Sequence, residues 1–272
     1  MRRVFVLSDH TGLTADAMAR ALLAQFPGEE HEIMRHPFLD SPEKVEVVVE
    51  AISREEAPLV FSSLVDPEAR KRLQALCGER FFDFFQDYTP RLEALLGVKA
   101  QPVTGSLHGI ANHGLYQERI RALDYSMIHD DGAVTRNYEN ADVILVGVSR
   151  SGKTPTCLYL ALHYGLQTAN YPLVEDDLER DELPAALAPH RDRLVGLTID
   201  PVQLQRIRIQ RRSSGRYAAL EQCQWEVRQA EALFRCHGIP VIDTTAISIE
   251  EIAAHITSEI LAQPSRGGGP AA

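Results

Sequence analysis

The chain has 272 residues, of which 44% are hydrophobic and 24% charged, as is ordinary for a globular protein with a sizeable core. Its 38 acidic and 28 basic residues give a formal charge of −10, which argues against general nucleic-acid binding because such binding relies on a basic surface. Four scattered cysteines without CxxC spacing indicate neither a zinc site nor a disulfide framework. The sequence shows neither an apolar run of about 18 residues nor a signal-peptide core, so we expect a cytoplasmic protein without membrane contact.

The first part of the chain alternates strand-like and helix-like segments, which is typical of βαβ units. Strands are predicted at residues 4–7, 33–37 and 59–64, and helices at 14–26, 42–54, 67–77 and 90–96. A stretch rich in Gly, Pro, His and Ser at residues 97–114 marks a domain junction. We therefore predict an α/β fold with an N-terminal α/β domain at 1–105, a second domain at 106–263 and a disordered tail at 264–272.

The most informative segment is ADVILVGVSRSGKTPT at residues 141–156, where an apolar run leads into a match to G-x-x-x-x-G-K-[ST]. Glycines let successive backbone N–H groups converge on one polyphosphate, while the lysine supplies charge and the hydroxyl reaches a magnesium ion. The second domain is therefore predicted to be a nucleotide-binding phosphate-loop domain with a mainly parallel sheet. Its predicted nucleotide-binding residues are Gly147, Val148, Ser149, Arg150, Ser151, Gly152, Lys153 and Thr154.

The context of this loop supports the motif. Residues 143–148 predict a strand buried on both faces, and residues 156–165 predict a helix that ends at a glycine. A later strand at residues 193–200 ends in Asp200, where a phosphate-loop protein places a magnesium-ordering carboxylate. An ordinary core strand whose aspartate caps the next helix explains the same pattern. Helices are predicted at 203–212, 217–236 and 249–261, with a strand at 239–242.

Three other polar segments carry candidate groups. His129, Asp130 and Asp131 precede the phosphate-loop strand and suit magnesium binding or proton abstraction, although such a turn is also a common solvated connector. The segment SDHTG at residues 8–12 follows the first strand and either binds phosphate or caps a helix. A basic cluster either binds phosphate or forms a solvated helix face; its members are Arg206, Arg208, Arg211, Arg212 and Arg216.

At GVSRSGKTPTCLYLA, residues 147–161, the sequence resembles the bacterial pyruvate, phosphate dikinase and phosphoenolpyruvate synthase regulatory protein family. The Thr-Pro-Thr continuation is the distinguishing part, since generic phosphate-loop proteins do not share it. Further matching stretches are VFVLSDHTGLTAD, ALDYSMIHDDG, ANYPLVEDD, LVGLTIDP and RRSSGRYAALEQC, so the resemblance spans nearly the whole chain.

The resemblance implies a bifunctional enzyme. Such proteins phosphorylate a threonine of their target with ADP as donor, and remove that phosphate with inorganic phosphate to release pyrophosphate. The ANYP and HDDG segments look closer to the phosphoenolpyruvate synthase branch, which makes that enzyme the expected protein substrate. Lys153, His129, Asp130 and Asp131 are then the expected catalytic residues, and Thr154 with Asp200 or Asp130 the expected magnesium ligands.

Three other functions explain the loop. The target could be pyruvate, phosphate dikinase, or the chain could be an ATP-dependent kinase of a small metabolite. A nucleotide-sensing module without phosphoryl transfer is the non-enzymatic alternative. We also expect a homo-oligomer, as is common for enzymes of this size.

Overall fold

The structure is a computed structural model that describes residues 1–101, 113–180, 182–211 and 215–261. The chain divides into two compact units, Met1–Ala111 and Asn112–Ala272. The junction predicted near residue 105 and the tail predicted at 264–272 lie outside the described residues. Within the described residues each unit contains one four-stranded, all-parallel sheet with helices, so the predicted α/β class and the mainly parallel sheet are confirmed.

The N-terminal unit begins with a buried central strand. In chain order its elements are β1 (Arg2–Leu7), α1 (Leu13–Leu23), β2 (His31–His36), α2 (Pro42–Ser53), β3 (Leu59–Ser62), α3 (Pro67–Cys77), β4 (Phe81–Asp83) and α4 (Phe84–Leu96). The strand order is β2-β1-β3-β4. Ser41 and Asp66 cap α2 and α3 by accepting backbone N–H bonds, and each is followed by a proline at the first helical position.

The C-terminal unit repeats this arrangement around another buried strand. Its elements are α5 (His113–Ile128), β5 (Val143–Gly147), α6 (Lys153–Tyr164), β6 (Thr168–Pro172), α7 (Glu175–Leu178), β7 (Leu194–Thr198), α8 (Pro201–Arg211), α9 (Leu220–His237), β8 (Val241–Asp243) and α10 (Ile249–His255), which a π-helical turn (Ile256–Ile260) follows. The strand order is β6-β5-β7-β8.

The apolar core of the C-terminal unit covers both faces of β5. Ile144 and Val146 pack in one cluster with side chains of α8 and α9, whereas Val143 and Leu145 pack in another with side chains of α6 and α10. All four are fully buried. This two-sided burial is the reason that the β5 sequence is a continuous apolar run rather than an alternating one.

Both sheets have the same order relative to the chain: second, first, third and fourth strand. In open parallel sheets, ligands bind beyond the carboxyl ends of the strands at the point where the strand order reverses. In the C-terminal unit this point lies between β5 and β7, and the loop that follows β5 is the predicted phosphate loop. The corresponding loop of the N-terminal unit is the SDHTG segment at residues 8–12.

Two strands were not predicted, β4 and β6, and α4 begins earlier than residue 90. The earlier start has a local cause: the Asp83 carboxylate accepts hydrogen bonds from the amides of Phe85 and Gln86 and so caps the helix at residue 84. The sequence predicts that the helix begins at Pro90, but this proline lies inside α4.

Candidate active site

The predicted phosphate loop, residues 147–154, contains the turn 148–152 that joins β5 to α6 at the carboxyl end of β5, a strand that pairs with β6 on one side and β7 on the other. A Cβ atom at Gly147 would lie 2.5 Å from the Leu197 carbonyl oxygen, so only glycine fits beside the backbone of β7 at this position. Gly152 precedes α6 with φ of 92°, a left-handed conformation that glycine tolerates. Gly147 therefore leaves room for the backbone of β7, and Gly152 forms the turn that leads into α6.

Lys153 is buried at the first position of α6. Its Nζ donates to the carbonyl oxygens of Gly147 at 3.0 Å and Val148 at 2.9 Å. Burial lowers the pKa of Lys153 to about 8, and the negative charges of Asp131 and Asp130 offset this only in part. An ammonium group has three donors, so one N–H beyond these two bonds can serve a bound phosphate.

The acidic turn before β5 lies against the start of α6. The Thr154 hydroxyl donates to Asp130 Oδ1 at 2.8 Å, and the Asn170 side-chain amide donates to the same oxygen. The side-chain oxygen of Asn170, Oδ1, in turn accepts the backbone N–H of Asp131 at 3.0 Å. Asn170 is fully buried in β6, so one amide fixes the turn to the sheet. The structure thereby brings Asp130 and Asp131 together with Lys153 and Thr154.

His129 anchors this turn rather than facing outward. Its Nδ1 lies 2.8 Å from the Tyr125 carbonyl oxygen and its Nε2 lies 2.9 Å from the Arg136 carbonyl oxygen. The ring is buried and stacks on Tyr125 with centroids 3.9 Å apart. Both ring nitrogens therefore face backbone carbonyls, which gives His129 a positioning role in this geometry; its catalytic role stays a prediction.

Asp200 follows β7 and caps α8. Its Oδ1 accepts the backbone N–H groups of Val202 and Gln203, both at 2.9 Å, which is the capping alternative considered from the sequence. The structure thus places Asp130, rather than Asp200, in hydrogen-bond contact with Thr154. Asp200 also lines a polar cavity of about 570 Å³ at the carboxyl ends of β7 and β8. Its role as a magnesium ligand stays a prediction.

The arginine cluster separates into different environments. Arg206 and Arg211 are exposed, and Arg216 pairs with Glu175 at 2.5 Å. Arg208 is fully buried, so neither a solvated face nor an open phosphate site describes it. Arg212 lies outside the described residues.

The SDHTG loop of the N-terminal unit is tied to the segment after β3. The Ser8 hydroxyl accepts from the Ser63 hydroxyl at 3.2 Å, and Asp9 Oδ2 accepts the backbone N–H of Val65 at 2.9 Å. These bonds use the polar side chains to join two loops of the same unit. A phosphate-binding role for this segment stays a prediction.

Two residues of the site were missed from the sequence. Asn170 lies in the ANYP stretch, which carries only the family resemblance, and Arg208 belongs to the basic cluster for which the sequence leaves phosphate binding and a solvated helix face open. Each acts through a contact with a distant part of the chain. Nothing in the local spacing around either residue reports that contact.

Among the described residues, no group of three or more His, Cys, Asp or Glu side chains could hold a metal ion by itself. Magnesium does not require one, because in nucleotide sites it is usually bound by one or two carboxylates together with substrate phosphates. Within the same described ranges, no helix is long and apolar enough to cross a membrane.

A family model described as kinase/pyrophosphorylase matches residues 4–257 of the chain. A relative from Alkalilimnicola ehrlichii is 48% identical over 263 residues, which cover 95% of each chain. Relatives from Halorhodospira halophila and Neisseria meningitidis are 47% and 46% identical, covering 94% of this chain and 95% of their own. All three bear names that describe them as candidate regulatory proteins of phosphoenolpyruvate synthase.

These matches extend over both units and include the phosphate loop and the acidic turn. They confirm the resemblance found in the sequence. The chain therefore belongs to the kinase/pyrophosphorylase family of phosphoryl-transferring enzymes.

Proposed function

We propose that this protein regulates phosphoenolpyruvate synthase by reversible phosphorylation of a threonine. ADP is the phosphoryl donor, and inorganic phosphate removes the group again as pyrophosphate. Family membership supports both halves of the chemistry, and the names of the relatives favour phosphoenolpyruvate synthase over pyruvate, phosphate dikinase as target. The observation that carries the proposal is the placement of Lys153, Thr154 and Asp130 around one glycine-rich loop.

The loop supplies the binding site for the diphosphate of ADP. Loop N–H groups and the start of α6 favour an anion, because the first amides of a helix have no partner within the helix. Lys153 adds a positive charge at the same place. Pyrophosphate, the product of the reverse reaction, carries the same two linked phosphoryl groups, so one loop serves both directions.

Thr154 and Asp130 supply oxygen ligands of the kind that magnesium prefers, and their oxygens lie 2.8 Å apart. These two side chains would hold the ion, which when bound would neutralise charge on the transferring phosphoryl group. Asn170 fixes the Asp130 carboxylate by donating to Oδ1, so its position is set before substrate binds.

In the forward reaction the threonine oxygen forms a bond to the β-phosphorus of ADP, while the bond from that phosphorus to the bridging oxygen breaks and AMP leaves. The hydroxyl proton needs an acceptor, and we assign Asp131, whose side chain is exposed beside Asp130. Lys153 stabilises the charge that develops on the phosphoryl oxygens. Positioning and electrostatics then supply most of the catalysis.

In the reverse reaction an oxygen of inorganic phosphate forms a bond to the phosphorus of phosphothreonine. The bond from phosphorus to the threonine oxygen breaks, and that oxygen takes the proton that the attacking phosphate loses, which Asp131 transfers between them. The products are threonine and pyrophosphate. Lys153 and the loop amides hold the attacking phosphate close to the phosphothreonine.

The test measures phosphoenolpyruvate synthase activity after incubation with this protein and ADP. We expect activity to be lost with ADP and restored by inorganic phosphate. Lys153→Met should abolish both effects, whereas Lys99→Ala, at an exposed lysine of the N-terminal unit, should leave them unchanged. Persistence of both effects in Lys153→Met, or their absence with the wild-type protein and active target, would overturn the proposal.

A further inference from the structure

Arg208 of α8 is completely buried beneath the phosphate loop. Its Nη2 donates to the Ser149 carbonyl oxygen at 3.1 Å, and its Nη1 donates to the Tyr217 carbonyl oxygen at 2.8 Å. The guanidinium carbon lies 4.1 Å from the centroid of the Tyr217 ring. The Tyr217 hydroxyl is 3.0 Å from the Ser149 hydroxyl, so both the backbone and the side chain of Ser149 are held from the same side.

A buried guanidinium requires a compensating charge, and Glu226 of α9 supplies it. Glu226 accepts two parallel bonds from Arg208, at 3.1 Å and 2.6 Å. Burial by itself would lower the pKa of Arg208, but the hydrogen bonds and negative charge of Glu226 outweigh it and raise that pKa above its ordinary value. The guanidinium is therefore permanently charged, and its N–H groups donate both to the Glu226 carboxylate and to the loop.

The bond to Ser149 determines the direction of the next amide. A peptide group is planar and trans, so the N–H of Arg150 points opposite to the Ser149 carbonyl that Arg208 holds. Arg150 itself has φ of 78°, a left-handed conformation that a non-glycine residue keeps only when its surroundings enforce it. The Arg208 bond acts on the peptide group immediately before this strained residue.

Three further carbonyl oxygens of this segment also accept hydrogen bonds from side chains. Lys153 holds those of Gly147 and Val148, and the Thr244 hydroxyl donates to that of Ser151 at 3.2 Å. Side-chain donors thus hold four carbonyl oxygens within residues 147–151, and Arg208 is one of these donors. A phosphate-binding loop needs its amides, and not its carbonyls, to face the anion.

We propose that Arg208, fixed by Glu226, is a positioning residue that holds the Ser149–Arg150 peptide group in the orientation that nucleotide phosphate binding requires. This inference rests on the proposed nucleotide site and assigns to Arg208 no contact with the phosphate itself. Without the hydrogen bond from Arg208, the Ser149–Arg150 peptide group is free to rotate. Binding of the diphosphate must then restore its orientation, which lowers the affinity. The loss should fall on ADP binding rather than on the chemical step.

The test compares Arg208→Lys, which keeps the charge but loses the fork, with Glu226→Gln, which keeps the shape but loses the charge. ADP binding is measured by calorimetry below the unfolding transition, and kcat and KM for ADP are measured with the target enzyme. We expect both variants to raise the Kd for ADP by about tenfold or more, with kcat at saturating ADP little changed. If Arg208→Lys does not fold, Glu226→Gln alone decides.

Arg70 and Asp83 form a matched control in the N-terminal unit, because Arg70 Nε pairs with a buried Asp83 carboxylate at 2.5 Å. Arg70→Lys should lower Tm without raising the Kd for ADP. If the Arg208 and Glu226 variants lower Tm but bind ADP as tightly as the wild type, the pair is only structural and the inference is wrong. If the wild-type protein does not bind ADP, the nucleotide site fails and the inference fails with it.

Discussion

The affinity of this protein for ADP should fall as the pH is raised above 8, because Lys153 loses its proton there. Burial sets the pKa of Lys153 at about 8 in the nucleotide-free protein. A bound diphosphate adds negative charge beside the ammonium group and raises that pKa towards the ordinary 10.5. Binding above pH 8 must therefore take up a proton, whereas binding at pH 7 takes up little.

The magnitude follows from the difference between the two pKa values. Affinity should fall by about tenfold for each pH unit above 8, up to the pKa of the bound state. A full return of the Lys153 pKa to its ordinary value corresponds to about 3 kcal/mol of binding free energy. Neither of two other ionisable groups interferes in this range: ADP phosphates ionise near pH 6, and burial raises the pKa of the neighbouring Cys157 to about 12.

The assay is titration calorimetry with ADP at pH 7 and pH 9, in pairs of buffers that differ in ionisation enthalpy. The wild-type protein should take up close to one proton at pH 9 and much less at pH 7. Lys153→Met should bind ADP weakly, with no proton uptake at either pH. Equal affinity and no proton uptake at both pH values in the wild type would refute the reasoning about Lys153.

Three further predictions concern the sheet around the loop. Asn170→Ala removes the amide that fixes the acidic turn, so phosphoryl transfer should fall by about tenfold or more in a kcat measurement while the Kd for ADP changes little. Gly147→Ala should disrupt ADP binding, because its Cβ would meet the Leu197 carbonyl oxygen at 2.5 Å. Gly196→Ala is the contrasting case: its Cβ would meet the buried Phe234 ring at 2.8 Å, so overpacking should cost about 1–3 kcal/mol in thermal unfolding without weakening ADP binding. An intact ADP affinity in Gly147→Ala would contradict the role given to that close approach.

The loop and most helices could be predicted because their signals are local. A continuous apolar strand, a glycine-rich turn and a helix follow one another within residues 143–164, and all three elements appear at the expected places. The helix Pro67–Cys77 was predicted with its observed bounds, since an aspartate cap and a proline mark its start. Such signals lie within a few neighbouring residues, so they can be read without knowledge of the tertiary contacts.

One of the two missed strands, β6, lacks such signals. Thr168–Pro172 has the sequence TANYP, which contains an asparagine and a proline and has little strand propensity. It is a strand because it pairs in parallel with β5, from Val143↔Thr168 to Gly147↔Pro172. Pairing of this kind is a tertiary effect, and a window of a few residues does not report it.

The candidate site residues also divide into those with local sequence signals and those that depend on tertiary contacts. Motif and resemblance predict the loop residues and Asp130 as site residues, but the contact of Asp130 with Asn170 joins residues 40 positions apart. Arg208 is buried only because Glu226, on another helix, neutralises it. Since arginines are mostly exposed, sequence alone favours the solvated alternative for such a residue.

The proposed reaction transfers the β-phosphoryl group of ADP to a threonine of phosphoenolpyruvate synthase. The most direct measurement supplies ADP labelled at the β-phosphorus or, in a parallel reaction, at the α-phosphorus, and then locates the label on the target by mass spectrometry. We predict that the β-label appears on a threonine, that the α-label stays in AMP, and that inorganic phosphate releases the β-label as pyrophosphate. No β-label on a verified active target, or transfer only from the γ-position of ATP, would contradict the account.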